Sequence, residues 1–247
     1  MSDIERVYKY GKTAVGKSWD FRTLKNLNRL YYIHEGEGTY IHNGKEYGFI
    51  PGMLYFLPYT VKIRPKGDPK NPLLHSYADF ELIPPITANE PIIFDPAKDS
   101  MTETACTVFL KGAELAACGR LNCSDMSDEL TGFCFSAVKF LALHISEANG
   151  FLPVNDEIVI DALEYMLGNI HEHIKIRDIA KRYYISEDVF IRRFSKVMSI
   201  TPYAWLKNIR LKTARSLLDN RSSLTAAAAA VGYSDASALL HALKRQK

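Results

Sequence analysis

Between His171 and Lys247 the chain spells one short helical pattern twice, and a doubled pattern leaves few folds open to it. The first copy runs Lys175-Ile-Arg-Asp-Ile-Ala-Lys-Arg-Tyr-Tyr-Ile-Ser-Glu-Asp-Val-Phe-Ile-Arg-Arg-Phe194. The second runs Leu224-Thr-Ala-Ala-Ala-Ala-Ala-Val-Gly-Tyr-Ser-Asp-Ala-Ser-Ala-Leu-Leu-His-Ala-Leu243. Each reads as a short helix, a tight turn, and a Ser (Ser186, Ser234) whose hydroxyl caps a second helix. Two such units place two reading helices in successive major-groove segments of one duplex. Binding of double-stranded promoter DNA is therefore the working expectation.

Charge separates the same region from the rest. Residues 171–247 carry 15 basic and 6 acidic side chains, a net +9, whereas residues 1–170 are at −6. A basic module joined to an acidic one suits a phosphate-binding part attached to a part that avoids DNA. The first residues, Met-Ser-Asp-Ile-Glu-Arg, show no secretory pattern, and no apolar run approaches transmembrane length. Cys106, Cys118, Cys123 and Cys134 show neither a C-x-x-C pair nor zinc spacing, so they read as reduced, mostly buried thiols of a cytoplasmic protein.

The front half alternates short β-forming runs with turn signals. Asn28–His34, Thr39–His42, Lys45–Ile50, Met53–Leu57, Val61–Arg64 and Leu74–Leu82 read as strands, with a hairpin at Asn43-Gly44 and a turn at Pro51-Gly52. Residues 65–72 read as loop. This pattern predicts a small antiparallel barrel or sandwich. From about Met101 the period changes, and Leu130, Phe133, Cys134, Ala137, Val138, Leu141 and Ile145 form a helical stripe within 125–149. That stripe suits packing on the barrel or against a second copy of itself, as a homodimer would use it. Gly150 and Pro153 punctuate the chain, and Asn155 or Asp156 caps the next helix, which runs through Gly168. The expected fold is α+β: a ligand-sensing barrel over 1–100, a helical coupling or dimerisation segment over 101–154, and a tandem helix-turn-helix module over 155–247.

Within the first unit, Phe190, Phe194 and Val197 share one face as core, with Ile179 and Ala180 packed on them. The opposite face carries Glu187, Asp188, Ile191, Arg192 and Ser195. Arg192 is suited to a bidentate contact with guanine, worth roughly 1–3 kcal/mol of discrimination, and Arg193 and Lys196 are suited to phosphates. Their counterparts in the second unit are Ser237, Leu240, His241 and Lys244, with Ser234, Asp235 and Arg245 beside them. Pro202 opens a connecting helix whose ridge (Leu206, Ile209, Thr213, Leu217, flanked by Leu211, Ala214, Leu218) predicts burial between two small bundles.

These residues resemble the AraC/XylS family of bacterial transcription regulators. The resemblance is carried by Ile179-Ala180, Ser186, Phe190-x-Arg192-x-Phe194, Thr201-Pro202-x-x-Trp205, Arg210-Leu211, Ala214-x-x-Leu217-Leu218 and Val231-Gly-Tyr-Ser-Asp235, over residues 156–247. Tyr31-Tyr-Ile-His-Glu-Gly-Glu-Gly38 and Pro51-Gly-Met-Leu-Tyr-Phe-Leu-Pro58 resemble the cupin-like sensor domain often joined to that module. The resemblance implies a small-molecule effector, frequently a sugar, and dimerisation through the helices before the linker. In that family the second unit closes with a further Pro-led helix, before which this chain stops at Lys247. With Ala227 and Ala228 in place of Ile179 and Ala180, and Leu239 and Leu243 in place of Phe190 and Phe194, the second unit is expected to be the less stable. A ligand-binding or dimerising protein with impaired DNA binding is the alternative function.

Tyr31, Tyr40, Phe56, Tyr77 and Phe80 are candidates for stacking on an effector, and Arg29 or Arg64 for anchoring an anionic one. A metal-binding cupin sets two His one residue apart on a strand. His34 and His42 stand on separate strands, with His75 on a third, so no metal or other cofactor is expected. His171-Glu-His173 reads as the turn after Asn169. No phosphate loop and no Gly-x-Ser-x-Gly elbow is present. A cupin-type metalloenzyme is the remaining alternative, and catalysis is not expected.

Overall fold

The computed structural model describes residues 6–16, 27–121, 128–219 and 221–245. They form two compact units, Arg6–Pro153 and the described residues from Val154 onward. The class is α+β, as the residue patterns predict: antiparallel sheets in the first unit, helices alone in the second.

The first unit contains β1 (Arg6–Val15), β2 (Asn28–Glu35), β3 (Gly38–His42), β4 (Lys45–Gly48), β5 (Leu54–Leu57), β6 (Arg64–Gly67), β7 (Leu73–Glu81), β8 (Ile92–Phe94), α1 (Ser100–Ala117) and α2 (Glu129–Ala148). Its strands make two antiparallel sheets, ordered β1-β7-β2-β5-β8 and β4-β3-β6, so the expected barrel is a two-sheet structure and not one closed ladder among the described residues. Alternate side chains of the larger sheet enter two cores. Leu30, Leu54, Phe56, Ala78 and Phe80 meet Phe109, Ala113, Phe135, Val138, Leu141 and Ile145 of α1 and α2. Tyr31, Ile33, Tyr55 and Leu57 instead meet Tyr40, Phe49 and Ile63 from the smaller-sheet side. Burial on both faces explains why Leu30–Ile33 within β2 and Leu54–Leu57 of β5 read as unbroken apolar runs.

Several expectations shift. The strand expected at Val61–Arg64 lies at Arg64–Gly67, and Pro65 is tolerated because β6 is an edge strand. The edge strands β1 and β8 carried no clear signal; β1 breaks its alternation at a bulge between Val7 and Lys9. The helix expected from residue 125 begins at Glu129, capped by Asp128, and residues 125–127 lie outside the described residues, as does Cys123. Cys106 and Cys134 are buried, whereas Cys118 is exposed. The Asn43-Gly44 hairpin has both residues at positive φ (50° and 79°), which the two-residue turn requires.

The second unit contains α3 (Glu157–Gly168), α4 (Ile176–Arg182), α5 (Glu187–Met198), α6 (Pro202–Asp219), α7 (Leu224–Ala230) and α8 (Ala236–Lys244). Asp156 caps α3 by accepting from Val159 N at 3.1 Å. α6 joins two cores along its length. Near its start, Trp205 lies edge-on to Phe194, with centroids 6.3 Å apart; farther along, Leu211 and Ala214 pack with Ala227, Ala228, Val231 and Leu239. No helix among the described residues is long and apolar enough to cross a membrane.

Candidate nucleic-acid interface

Local chemistry sets α5 in place. Ser186 Oγ accepts from Val189 N at 3.3 Å, meeting one of the donors that the first turn leaves unpaired. Phe190, Phe194 and Met198 are buried at four-residue spacing, so the helix is anchored along one stripe. Met198 takes the third core position; Val197, expected there, is half-buried because the stripe continues at i+8 from Phe190. On the outward side, Asp188, Arg192 and Lys196 are exposed, with Glu187 and Ile191 half-exposed beside them. Arg192 and Lys196 have no side-chain partner among the described residues.

Other expected contacts are altered. Arg193 does not stand free for phosphate: its Nε donates to both oxygens of Asp156, at 3.1 and 2.8 Å, tying α5 to the start of α3. That ion pair offsets the charge of the guanidinium and fixes where it stands on α5. Ser195 is half-buried with its hydroxyl oxygen shielded from solvent, so it leaves the reading face. Glu187 accepts a hydrogen bond from the hydroxyl of Tyr203, a residue that sequence reasoning passed over because it carries no motif beyond following Pro202.

In the second unit the cap is Asp235, not Ser234. Asp235 accepts from Ala238 N at 2.8 Å, and Ser234 Oγ donates to its other oxygen at 3.0 Å. The Ala238 amide, then Ser234, hold the Asp235 carboxyl below its usual range. The helix starts one residue later than the first copy implies, which absorbs the extra residue between Ser234 and Leu239. Ser237, Leu240, His241, Lys244 and Arg245 are all exposed. Leu239 is fully buried, whereas Leu243 is half-buried in the same cluster. Leu217, Leu218 and Leu224 fill space around the small Ala227 and Ala228.

The two turns are locked differently. At Gly232 (φ +72°) a Cβ would lie 2.8 Å from His171 O and 2.9 Å from Ile170 O. Arg210 fastens the same segment, donating to Ile170 O (3.0 Å) and to Glu172 O. Its first-unit counterpart, Tyr184, also has positive φ (56°) but is 98% exposed.

The expected effector residues do not converge. Tyr31 and Tyr40 are buried between the sheets with Tyr77 packed against them. Burial pushes the Tyr40 phenol up to about 12 and the Tyr31 phenol higher still. Phe56 and Phe80 lie on the other face of the larger sheet, 6.2 Å apart, against α1 and α2. A surface cleft lined by Glu37, Thr39, Glu46, Lys66, Asp68 and Pro69 involves none of the five. Arg29 is buried and paired with Asp79 across β2 and β7 at 3.0 Å, so it is not available to an anionic ligand, whereas Arg64 is exposed. His34 meets Ser76 at 2.9 Å, and the ring nitrogens of His42 lie 3.0 and 2.8 Å from the carbonyls of Lys62 and Asn89. The described residues contain no group of three or more His, Cys, Asp or Glu able to hold a metal.

Comparison with known proteins bears on the same region. The family model described as a helix-turn-helix domain matches residues 179–247. No curated protein matches the chain. Among solved structures, ToxT from Vibrio cholerae O395 is similar over 97% of this chain and 92% of its own, with 10% identity and a TM-score of 0.57. ToxT from Vibrio cholerae strain SCE256 is similar over 98% and 90%, with 9% identity and a TM-score of 0.56. At that identity the likeness concerns fold. Residues 179–247 therefore match a helix-turn-helix domain, and the chain shares with ToxT a fold in which a β unit precedes the helices, the arrangement that the resemblance to the AraC/XylS regulators implied.

Proposed function

We propose that the chain is a sequence-specific transcription regulator that grips promoter DNA through α5 and α8 and responds to a small molecule held in its β unit. One observation carries the DNA reading: on two helices braced by the shared α6, the outward residues are exposed while the inward ones are buried. On α5 these are Asp188, Arg192 and Lys196, and on α8 Ser237, Leu240, His241 and Lys244. Arg192 reads guanine, Lys196, Lys244 and Arg245 meet phosphates, and Ser186 and Asp235 act as caps that aim the two helices. The domain division that serves this function is a sensing part over 1–100, a coupling part over 101–154 and the DNA module over 155–247. α2 supports dimerisation by leaving Leu130 and Phe133 exposed, at 41% and 62%.

For the effector, a sugar would stack on Tyr31, Tyr40 and Tyr77 only where it displaces the contacts that these rings make between the sheets, such as Tyr40 with Phe49 and Tyr55. A second class is favoured by the neighbours: ToxT structures hold an unsaturated fatty acid and (E)-4-(8-methylnaphthalen-1-yl)but-3-enoic acid. Effector occupancy biases DNA affinity by favouring one of two states of the chain.

Selection of bound sequences from random duplexes tests the reading. A sequence preference should emerge, and log affinity should fall linearly with log salt at about 0.9 per phosphate neutralised. Arg192→Ala should erase the guanine preference at one position. Salt-insensitive or absent binding would favour an interaction-only protein. Sugars and long-chain carboxylic acids added to the same assay separate the two effector classes.

A further inference from the structure

The pairing of Tyr203 with Glu187 is not explained by packing. Tyr203, the second residue of α6, is 52% exposed, and its hydroxyl donates to Oε1 of Glu187, the first residue of α5. A hydrogen bond made in solvent returns little stability against the side-chain freedom it removes. What it does is immobilise a carboxylate at the end of the helix that enters the groove. The N-terminal residues of a reading helix are the ones that meet base edges. Oε1 is taken by the phenol, and Oε2 accepts no hydrogen bond among the described residues. The adjoining carboxylate raises the Tyr203 phenol above its ordinary range, so the hydroxyl keeps its proton and remains a donor.

A fixed carboxylate selects strongly among groove edges. Guanine offers O6 and N7, both acceptors, and phosphates are anionic, so all three repel it. Cytosine offers its N4 amino group, a donor with which Glu pairs. We propose that Glu187 reads a cytosine through N4, and that Tyr203 is the positioning residue that aims it. This assignment rests on the DNA-binding reading above and adds a base and a second residue to it.

The test uses the full chain and selection from random duplexes for the native protein, Glu187→Gln and Tyr203→Phe, followed by competition binding and thermal unfolding. Gln pairs with adenine N6 and N7, so Glu187→Gln should convert one cytosine position to adenine. Tyr203→Phe should lower the cytosine preference at that same position about three- to tenfold. The guanine position lost in Arg192→Ala, the salt slope and the thermal midpoint should stay unchanged in both variants. An unaltered base profile in both variants would overturn the assignment. So would an equal weakening at every position together with a lower thermal midpoint, which would make the pair merely structural. Absence of any sequence preference in the native chain would instead overturn the regulator reading, and this assignment with it.

Discussion

One turn position occurs in both helix-turn-helix copies, and the structure gives opposite expectations for its two occupants. Gly232 and Tyr184 both sit at positive φ, 72° and 56°. An L-residue held there costs about 1–2 kcal/mol. In Gly232→Ala that cost is compounded, because the new Cβ would stand 2.8 and 2.9 Å from the carbonyls of His171 and Ile170 and 3.0 Å from the Arg210 guanidinium. Those atoms are backbone, or are fixed by it, so the α7–α8 turn must move away and loosen the Arg210 bonds to Ile170 and Glu172. A total loss of about 2–4 kcal/mol is expected. Tyr184→Gly removes the same conformational cost at a residue that is 98% exposed, so no packing is lost. The greater freedom of Gly in the unfolded chain returns about 0.5–1 kcal/mol of the gain, leaving the variant about 0.5 kcal/mol more stable than the native chain. Urea unfolding followed by circular dichroism, with amide exchange across 224–245 and 176–198, measures both. A Gly232→Ala loss below about 0.5 kcal/mol, or a Tyr184→Gly variant less stable than native, would refute the reasoning.

Three further outcomes are expected. Phe194 is fully buried against Phe190 and Trp205, so Phe194→Ala should cost about 3–5 kcal/mol and abolish DNA binding by unfolding the first copy, which calorimetry would register. Burial, with the neighbouring His34 as a lesser cause, pushes His75 down to about 4. Its unfolded value is near 6.5, so below that pH only the unfolded chain takes the proton. Stability should fall by about 3 kcal/mol between pH 6.5 and 4, a slope that His75→Gln should remove from urea midpoints across that range. Arg193→Ala should lower stability by about 0.5–1 kcal/mol without changing the salt slope of DNA binding, whereas Lys196→Ala should reduce that slope by about one.

The C-terminal half was legible because its determinants are local. Ser186 caps, Phe190 and Phe194 recur at helical spacing, and Pro202 starts a helix where its missing N–H is harmless; each acts within one turn of its own position. The front half was legible only where strands were covered on both faces, as in β2 and β5, or joined by Asn43-Gly44. β1, β6 and β8 owe their existence to partners elsewhere in the chain, and an edge strand containing Pro65 has no signal that a short window can detect.

The candidate site shows the same division more sharply. Which side of α5 faces outward followed from periodicity, but what its charges do followed from tertiary partners. Arg192 and Arg193 are adjacent and identical in type, yet one is exposed without a side-chain partner while the other is bound to a carboxylate 37 residues away. Glu187 looks from the sequence like an ordinary acidic residue in a first turn, there to complement the helix dipole. Only the hydroxyl of Tyr203, 16 residues on, distinguishes a solvated charge from an oriented acceptor. The aromatic candidates failed as a group for a related reason: alternation put Phe56 and Phe80 on one face of the sheet and Tyr31 on the other, and both faces are buried. A two-sided sheet makes core and ligand-facing aromatics indistinguishable by hydrophobicity. Tyr40 on Phe49 and Tyr55 closes the space between the sheets just as Phe80 on Phe135 closes the space against α1 and α2, so aromatic residues that pack the interior and ones that would meet a ligand leave the same pattern in the sequence.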